Sequence, residues 1–408
     1  MSYTYDIATS KKDIRSTVAL SVCHILHTII KLFLSTFLIA HIYSFCEDIY
    51  SYAVNVALYQ MFTYIAMFIS YYVLSFFVDK TNRVWIYRVA NIIEAILVVV
   101  SIFFGKDLAK IVILAGCLNG LSHGSYYSSY NVLRQEMVSR KSIKNFTVII
   151  SVLAKLVNIV CPIILGALIE VSTFSMVAIY VLVLCFIQLI VSFLIRSKKP
   201  VDSDFKLSEY FKKIKSDPIV KKKIGKLYII GLFYGFVTIV SSLLSVNIMM
   251  QFGSSFSLGA MTSVFAVVAI VVLLLMRKFT KMGGRTWLYI LISSFLVVSA
   301  IILSIIPNLI TLIIYHLAFS IFEVIVATNY DIHRNSNMKE LGLYQDIAEH
   351  QCVVESCFGI SRILSFGLLF ILSLFKNNLI YQIGFIVFIV LLCVTAILLA
   401  KYEKDNKE

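Results

Sequence analysis

Twelve long, mainly apolar stretches run along the chain, at residues 17–43, 51–78, 84–104, 109–132, 145–169, 172–195, 226–250, 256–276, 286–306, 308–331, 349–374 and 378–400. A helix rising 1.5 Å per residue needs about 20 apolar residues to cross a bilayer core, so each stretch predicts a spanning helix. Six precede the one long polar segment and six follow it, and the connections within each six are short. Consecutive helices are therefore expected to be antiparallel neighbours. The predicted fold class is an all-α membrane protein with two six-helix bundles, residues 1–195 and 226–408, joined by a linker over 196–225.

That linker carries Lys198-Lys199-Pro200, Lys212-Lys213 and Lys221-Lys222-Lys223, with Phe205, Leu207, Tyr210, Phe211 and Ile214 spaced among the charges. Basic residues with apolar ones at helical spacing predict an amphipathic helix lying on the membrane surface. A disordered charged linker is the alternative.

The polar loop Val78-Asp-Lys-Thr-Asn-Arg-Val-Trp-Ile-Tyr87 has a partner, Thr280-Lys-Met-Gly-Gly-Arg-Thr-Trp-Leu-Tyr289. Aligning Trp85 with Trp287, the two tryptophans of the chain, also matches Arg83 with Arg285 and Tyr87 with Tyr289. A loop recurring in the same place in each half signals an internal duplication.

Composition agrees with the pattern. The 408 residues are 60% hydrophobic and 14% charged, with mean hydropathy +0.91, against roughly 25% charged in soluble domains. The net charge of +14 would raise nucleic acid as a partner in a soluble protein. Here placement explains it. Thirty of the 36 Lys and Arg fall in segments on the side of the N-terminus, and three (Lys106, Lys110, Lys376) fall in loops on the other side. The remaining three lie inside spans. The positive-inside rule then puts both termini in the cytoplasm, and the basic surface attracts anionic lipid.

The polar first sixteen residues give no cleavable signal peptide, so the first span is expected to stay in the protein. Eight cysteines show no CxxC spacing and seven lie in apolar runs, which points to neither a disulfide framework nor a metal site. No nucleotide-binding G-x-x-x-x-G-K-[ST] occurs, so an ion gradient is the expected energy source. No cofactor is expected. Lysine, isoleucine and asparagine are abundant, as in AT-rich bacterial genomes, which favours a bacterial plasma membrane.

Twelve spans in a 6+6 arrangement, a basic central loop and a loop repeated after spans two and eight resemble the major facilitator superfamily, most closely in pattern its bacterial proton-coupled efflux permeases. The family's loop reads approximately G-x-x-x-D-R-x-G-R. The first copy here, from Ser75 to Arg83, keeps Asp79 and Arg83 while serine and Asn82 replace the glycines; the second keeps Gly284-Arg285 but has Lys281 in place of the acid. The resemblance implies a gating latch of Asp79, Arg83 and Arg285. An ordinary solvated loop pair is the plain alternative. In the fifth span, antiporter-type members carry G-P-x-x-G-G. Cys161-Pro162-Ile-Ile-Leu-Gly166 keeps the proline and the last glycine, which leans towards export.

Six ionisable residues lie well inside spans: Lys31, Glu94, Lys155, Glu323, Glu355 and Arg362. Charges at that depth are costly and default to functional roles. The resemblance implies a central cavity lined by helices 1, 4, 5, 7, 10 and 11, which carry all but Glu94. Helical spacing extends the set into polar stripes: His24, His27, Lys31 and Ser35; Asn119, His123, Tyr126, Tyr130 and Arg134; Ser151, Lys155, Asn158 and Pro162; His316, Glu323 and Tyr330; Glu355 and Arg362. The halves correspond, Tyr130 and Arg134 matching Tyr330 and Arg334 at a spacing of 200. The expected substrate contacts are Lys31, His123, Tyr126, Lys155, Glu323 and Arg362. Glu323 and Glu355 are the expected proton carriers, with His123 and His27 secondary. Fixed ion pairs, Glu355 with Arg362 or Lys155 with Glu323, are the plain alternative. Glu94 is expected to be structural, paired with Asn91 or Arg88.

The resemblance thus implies a non-enzymatic, monomeric secondary transporter working by alternating access, with proton-coupled export of a hydrophobic or amphiphilic compound as the first reading. Import of a polar or anionic nutrient is the second. A non-transporting accessory protein on the same scaffold and a membrane-embedded transferase complete the set.

Overall fold

The computed structural model describes residues 11–46, 48–78, 83–104, 107, 110–137, 143–196, 205–252, 254–279, 286–343 and 346–405. The helices, in chain order, are α1 (Lys11–Leu32), α2 (Leu38–Tyr43), α3 (Ile49–Val78), α4 (Arg83–Phe103), α5 (Val112–Met137), α6 (Ile143–Val171), α7 (Phe174–Ser192), α8 (Leu207–Ser216), α9 (Pro218–Tyr234), α10 (Val237–Phe252), α11 (Ser255–Phe279), α12 (Thr286–Ile305), α13 (Leu309–Glu340), α14 (Ile347–Leu374) and α15 (Asn378–Asp405). Each of the twelve apolar stretches falls on helix. Among the described residues, eleven helical stretches are long and apolar enough to cross a membrane. The twelfth, α5, is more polar, and its composition has a packing reason. Gly116, Gly120 and Gly124 form one face of α5 against α3, and a methyl on Gly120 would overlap the carbonyl oxygen of Thr63. Small residues at four-residue spacing let two backbones approach closely in lipid.

Two spans are interrupted. A π turn, Phe33–Phe37, separates α1 from α2, with Phe33, Leu34 and Phe37 buried. The seventh span breaks between α9 and α10, where Gly235 caps α9 beneath Ser361; a methyl there would overlap the Ser361 hydroxyl. That span also starts earlier than its hydrophobicity indicates. The Asp217 side chain accepts from the backbone N–H of Ile219 (2.8 Å) and Val220 (3.3 Å), and Pro218 takes the first helical position. An Asp-Pro start is a strong helix signal, so Lys221–Lys223 belong to the first turns of α9.

Within the linker lies α8. It buries Tyr210 and Ile214 against the base of the C-terminal half. The Tyr210 hydroxyl lies 2.7 Å from that of Tyr228 on α9 and 3.0 Å from His350 Nδ1 on α14, while Lys213 pairs with Asp346 at 2.5 Å. Phe205, just ahead of α8, packs on Tyr71 and Phe76 of α3. The segment therefore touches both halves.

Those halves meet along two seams, α3 with α14 and α6 with α11. In the first, Tyr64 stacks on Phe366 with centroids 5.8 Å apart. In the second, Gly259 lies against the Pro162 carbonyl and Gly166 against the Ser255 carbonyl. The residues matched between the two loops sit alike: Trp85 and Trp287 are 58% and 59% exposed near the starts of α4 and α12, and Tyr87 and Tyr289 are both fully buried.

Candidate functional site

Between the seams lies a cavity of two lobes. The first, about 440 Å³, is lined by Lys155 and Asn158 of α6, His316 and Glu323 of α13, and Thr262 and Phe265 of α11. The second, about 400 Å³, is lined by Lys31, Asn119, His123, Tyr127, Glu355 and Arg362, with Gln60 and Tyr64 of α3. Thr36 and Ser241 line both, so the lobes adjoin. Each volume lies within the usual range of small-molecule sites, roughly 300–1,000 Å³.

In the second lobe Lys31 Nζ donates to the Tyr127 hydroxyl at 3.0 Å and sits 5.2 Å from that ring's centre. Arg362 approaches Glu355, seven residues earlier on the same face of α14, at 3.7 Å, and lies over the Tyr64 ring at 5.0 Å. In the first lobe the His316 ring stacks on Phe265 at 3.5 Å. Three cations (Lys31, Lys155, Arg362) thus share the cavity with two carboxylates (Glu323, Glu355).

Of the expected substrate contacts, Lys31, His123, Lys155, Glu323 and Arg362 line the cavity, as do both expected proton carriers. Tyr126 does not. It is fully buried behind the cavity wall, its ring stacked on His27 at 3.5 Å and its hydroxyl 2.7 Å from His24 Nδ1. Its neighbour Tyr127 takes the lining position. Tyr330 is likewise withdrawn, bonded to the Leu227 carbonyl at 3.4 Å. Gln60, Tyr64, Thr262 and Phe265 line the cavity without having been expected there; α3 and α11 lack the charged stripes by which other lining helices announce themselves. Of the expected latch, Arg83 is buried at the start of α4, and Asp79 and Arg285 lie outside the described residues.

Glu94 has a different partner from either expected one. Asn91 accepts from Gln188 at 2.8 Å, and Arg88 donates to the Ser192 carbonyl at 3.4 Å. The Glu94 carboxylate instead meets His27 of α1, with His27 Nδ1 3.1 Å from Oε1 and 3.3 Å from Oε2. Both residues are 1% exposed. Periodicity showed which face Glu94 occupies and not which helix that face meets.

On the face opposite the chain ends, contacts close the halves together. Lys376 reaches Asp48 at 3.5 Å, Tyr50 meets Tyr381 edge-on at 6.4 Å, and Glu170 Oε1 accepts from the Ser254 hydroxyl at 2.7 Å and the Phe256 N–H at 3.4 Å. The Ser51 N–H, bonded to Asp48 at 2.6 Å, holds the Asp48 carboxyl below its ordinary range, with Lys376 adding to the effect.

Comparison with known proteins places this architecture. Among solved structures, the human organic anion transporter MFSD10 (TETRAN) matches with a TM-score of 0.60 at 13% identity, covering 95% of this chain and 99% of that one. The nucleoside transporter NupG matches at 0.63 and 12% identity, over 98% and 100%. A D-xylose–proton symporter matches at 0.64 and 11% identity, over 93% and 97%. At such identities the likeness is one of fold. Among curated proteins none matches. The profile of the Major Facilitator Superfamily matches residues 20–342. With its apolar helices packed around a central cavity, this multi-pass membrane protein belongs to the major facilitator superfamily.

Proposed function

We propose that the chain is a proton-coupled secondary transporter, working as a monomer by alternating access, whose cargo is a small polar solute bearing an anionic group. The observation that carries this reading is the cavity's charge: Lys31, Lys155 and Arg362 against Glu323 and Glu355. An excess of cation inside a bilayer is costly unless a partner offsets it. A carboxylate or phosphate arriving between Lys31 and Arg362 supplies that partner, and an arginine fork suits such a group. A purely hydrophobic compound does not. The charge therefore favours the polar solute over the hydrophobic export cargo suggested by the loop and fifth-span motifs. Organic acids, sugar acids and zwitterionic peptides fit this chemistry. Glu323 is the coupling carboxylate in this reading, and Glu355 tempers Arg362 between cargoes. The expected setting is a bacterial plasma membrane with the basic face in the cytoplasm, and Arg83 belongs to the gate on that face.

The test is reconstitution in liposomes enclosing a pH-sensitive dye, with an imposed proton gradient and a panel of organic anions, zwitterions and hydrophobic cations. Proton flux that depends on an anionic solute and is lost in Glu323→Gln is the expected result. Equal solute movement with the gradient collapsed, in wild type and Glu323→Gln alike, overturns the coupling. Movement of the hydrophobic cations alone overturns the cargo class. The sign of net movement separates import from export.

A further inference from the structure

A second ionisable centre lies one side chain behind the cavity wall and has no part in the scheme above. His27 and Glu94 meet at 3.1 Å in the interior of the N-terminal half, both excluded from solvent. The His123 ring lies edge-on to His27, centroids 5.8 Å apart, and His123 lines the cavity beside Lys31. The line from cavity to interior therefore runs His123, His27, Glu94. Among the described residues, His27 Nε2 and His123 Nδ1 are buried with no hydrogen-bond partner. A structural histidine ordinarily satisfies both ring nitrogens. Two facing imidazoles, each with a nitrogen left over, are suited to passing a proton.

We infer that His27 and Glu94 form a proton-holding site of the N-terminal half, loaded from the cavity through His123 and set by the charge of Lys31.

The physical argument is one of charge states. A lone carboxylate in a dry interior is strongly disfavoured, so the pair takes up a proton, and with little water to solvate separated charges it holds that proton as two neutral groups, on the Glu94 carboxyl. The titration belongs to the pair and not to either member. The ionisable groups facing it are Lys31 and His24 on α1, Tyr87 on α4, His123, Tyr126 and Tyr127 on α5, and Cys185 on α7. Within that set Lys31 is the lasting cation, and its charge favours the deprotonated pair. An anion bound at Lys31 cancels that influence, so the pair then takes up a proton. By linkage, a proton on the pair strengthens anion binding to the same degree. The inference rests on the proposed anionic cargo for its purpose, but the site itself can be tested without any cargo.

The measurement is infrared difference spectroscopy of the purified full-length protein titrated over roughly pH 5 to 9, the range in which perturbed carboxyl and imidazole groups change charge. A protonated-carboxyl C=O band that titrates in wild type is expected to vanish in Glu94→Gln and persist in Glu323→Gln. In Lys31→Gln, which removes the cation as a bound anion would, its midpoint moves up by about one pH unit. In His27→Gln the band persists with a displaced midpoint, which covers the case in which Glu94→Gln misfolds. A band unchanged in Glu94→Gln, or a midpoint indifferent to Lys31→Gln, overturns the inference. Either failure with transport intact leaves the transporter reading standing. A titrating Glu94 in a protein that moves no solute would sink that reading and spare this one.

Discussion

Asp48 and Lys376 lie 328 positions apart in sequence and 3.5 Å apart in space, one at the head of α3 and the other just after α14. Their contact joins the two halves on the face opposite the chain ends, so the structure is closed there. Replacing both with cysteine, in a background without the eight native cysteines, and cross-linking them is expected to abolish transport, with reduction restoring it. Unimpaired transport by the cross-linked protein would show that this face need not open.

The same pair has a defined pH response. Asp48 has a lowered pKa, so its contribution is present above the ordinary aspartate range and fades only as pH falls through the lowered value. Spin labels flanking the pair should report the same closed distance from about pH 5 to 8. A distance that opens within that window would assign closure to some other group.

Gly120, packed on α3, and Gly225, on the open side of α9, are expected to respond oppositely to alanine. A methyl on Gly120 has no room beside Thr63, and overpacking of this kind costs about 1–3 kcal/mol. Gly225 faces open space, where alanine gains up to about 1 kcal/mol in helix propensity. Thermal melts of the detergent-purified variants should fall for Gly120→Ala and hold or rise for Gly225→Ala.

Tyr210 fastens α8 to the C-terminal half through Tyr228 and His350. Burial holds its phenol above the usual range, so the hydroxyl stays protonated at neutral pH. Tyr210→Phe is expected to cost about 1 kcal/mol, because Tyr228 and His350 still bond each other at 3.1 Å. Lys213→Ala, which loses an exposed ion pair with Asp346, should matter less. Hydrogen exchange across α8 ranks the two.

Arg362 and Glu355 offer a test of cargo charge. Arg362→Gln should raise KM for an anionic solute roughly tenfold or more, the usual worth of a charge-assisted bond. Glu355→Gln frees Arg362 from its partner at 3.7 Å and should lower KM while slowing release. Initial rates on proteoliposomes separate these outcomes; a KM unmoved by Arg362→Gln argues against an anionic group at that end.

What the sequence made legible was whatever periodicity encodes. Twelve apolar runs, the repeated Trp-x-Tyr loop and the polar faces of α1, α6, α13 and α14 could all be read directly. Two kinds of information were hidden. Spacing resolves a helical face only coarsely: from His123, a step of four residues turns about 40° one way and a step of three about 60° the other. Hence Tyr127 faces the cavity while Tyr126 turns towards α1. Tertiary partnering is hidden altogether, so spacing alone pairs Glu94 with its own helix and not with His27. Two local signals were present in plain view, Asp217-Pro218 at the start of α9 and the four-residue glycine spacing of α5, and each outweighs hydropathy in setting where a helix begins or packs.

The seam between α6 and α11 is made where Pro162 and Gly166 meet Gly259 and Ser255. Surfaces that interlock through large side chains must disengage before they can shift. A contact of backbone on backbone has no teeth, and one helix can roll on the other without losing it. In the alternating-access reading proposed above, the seam serves as a fulcrum, and the bundles on either side of it tilt as levers whose bearing stays engaged through the stroke.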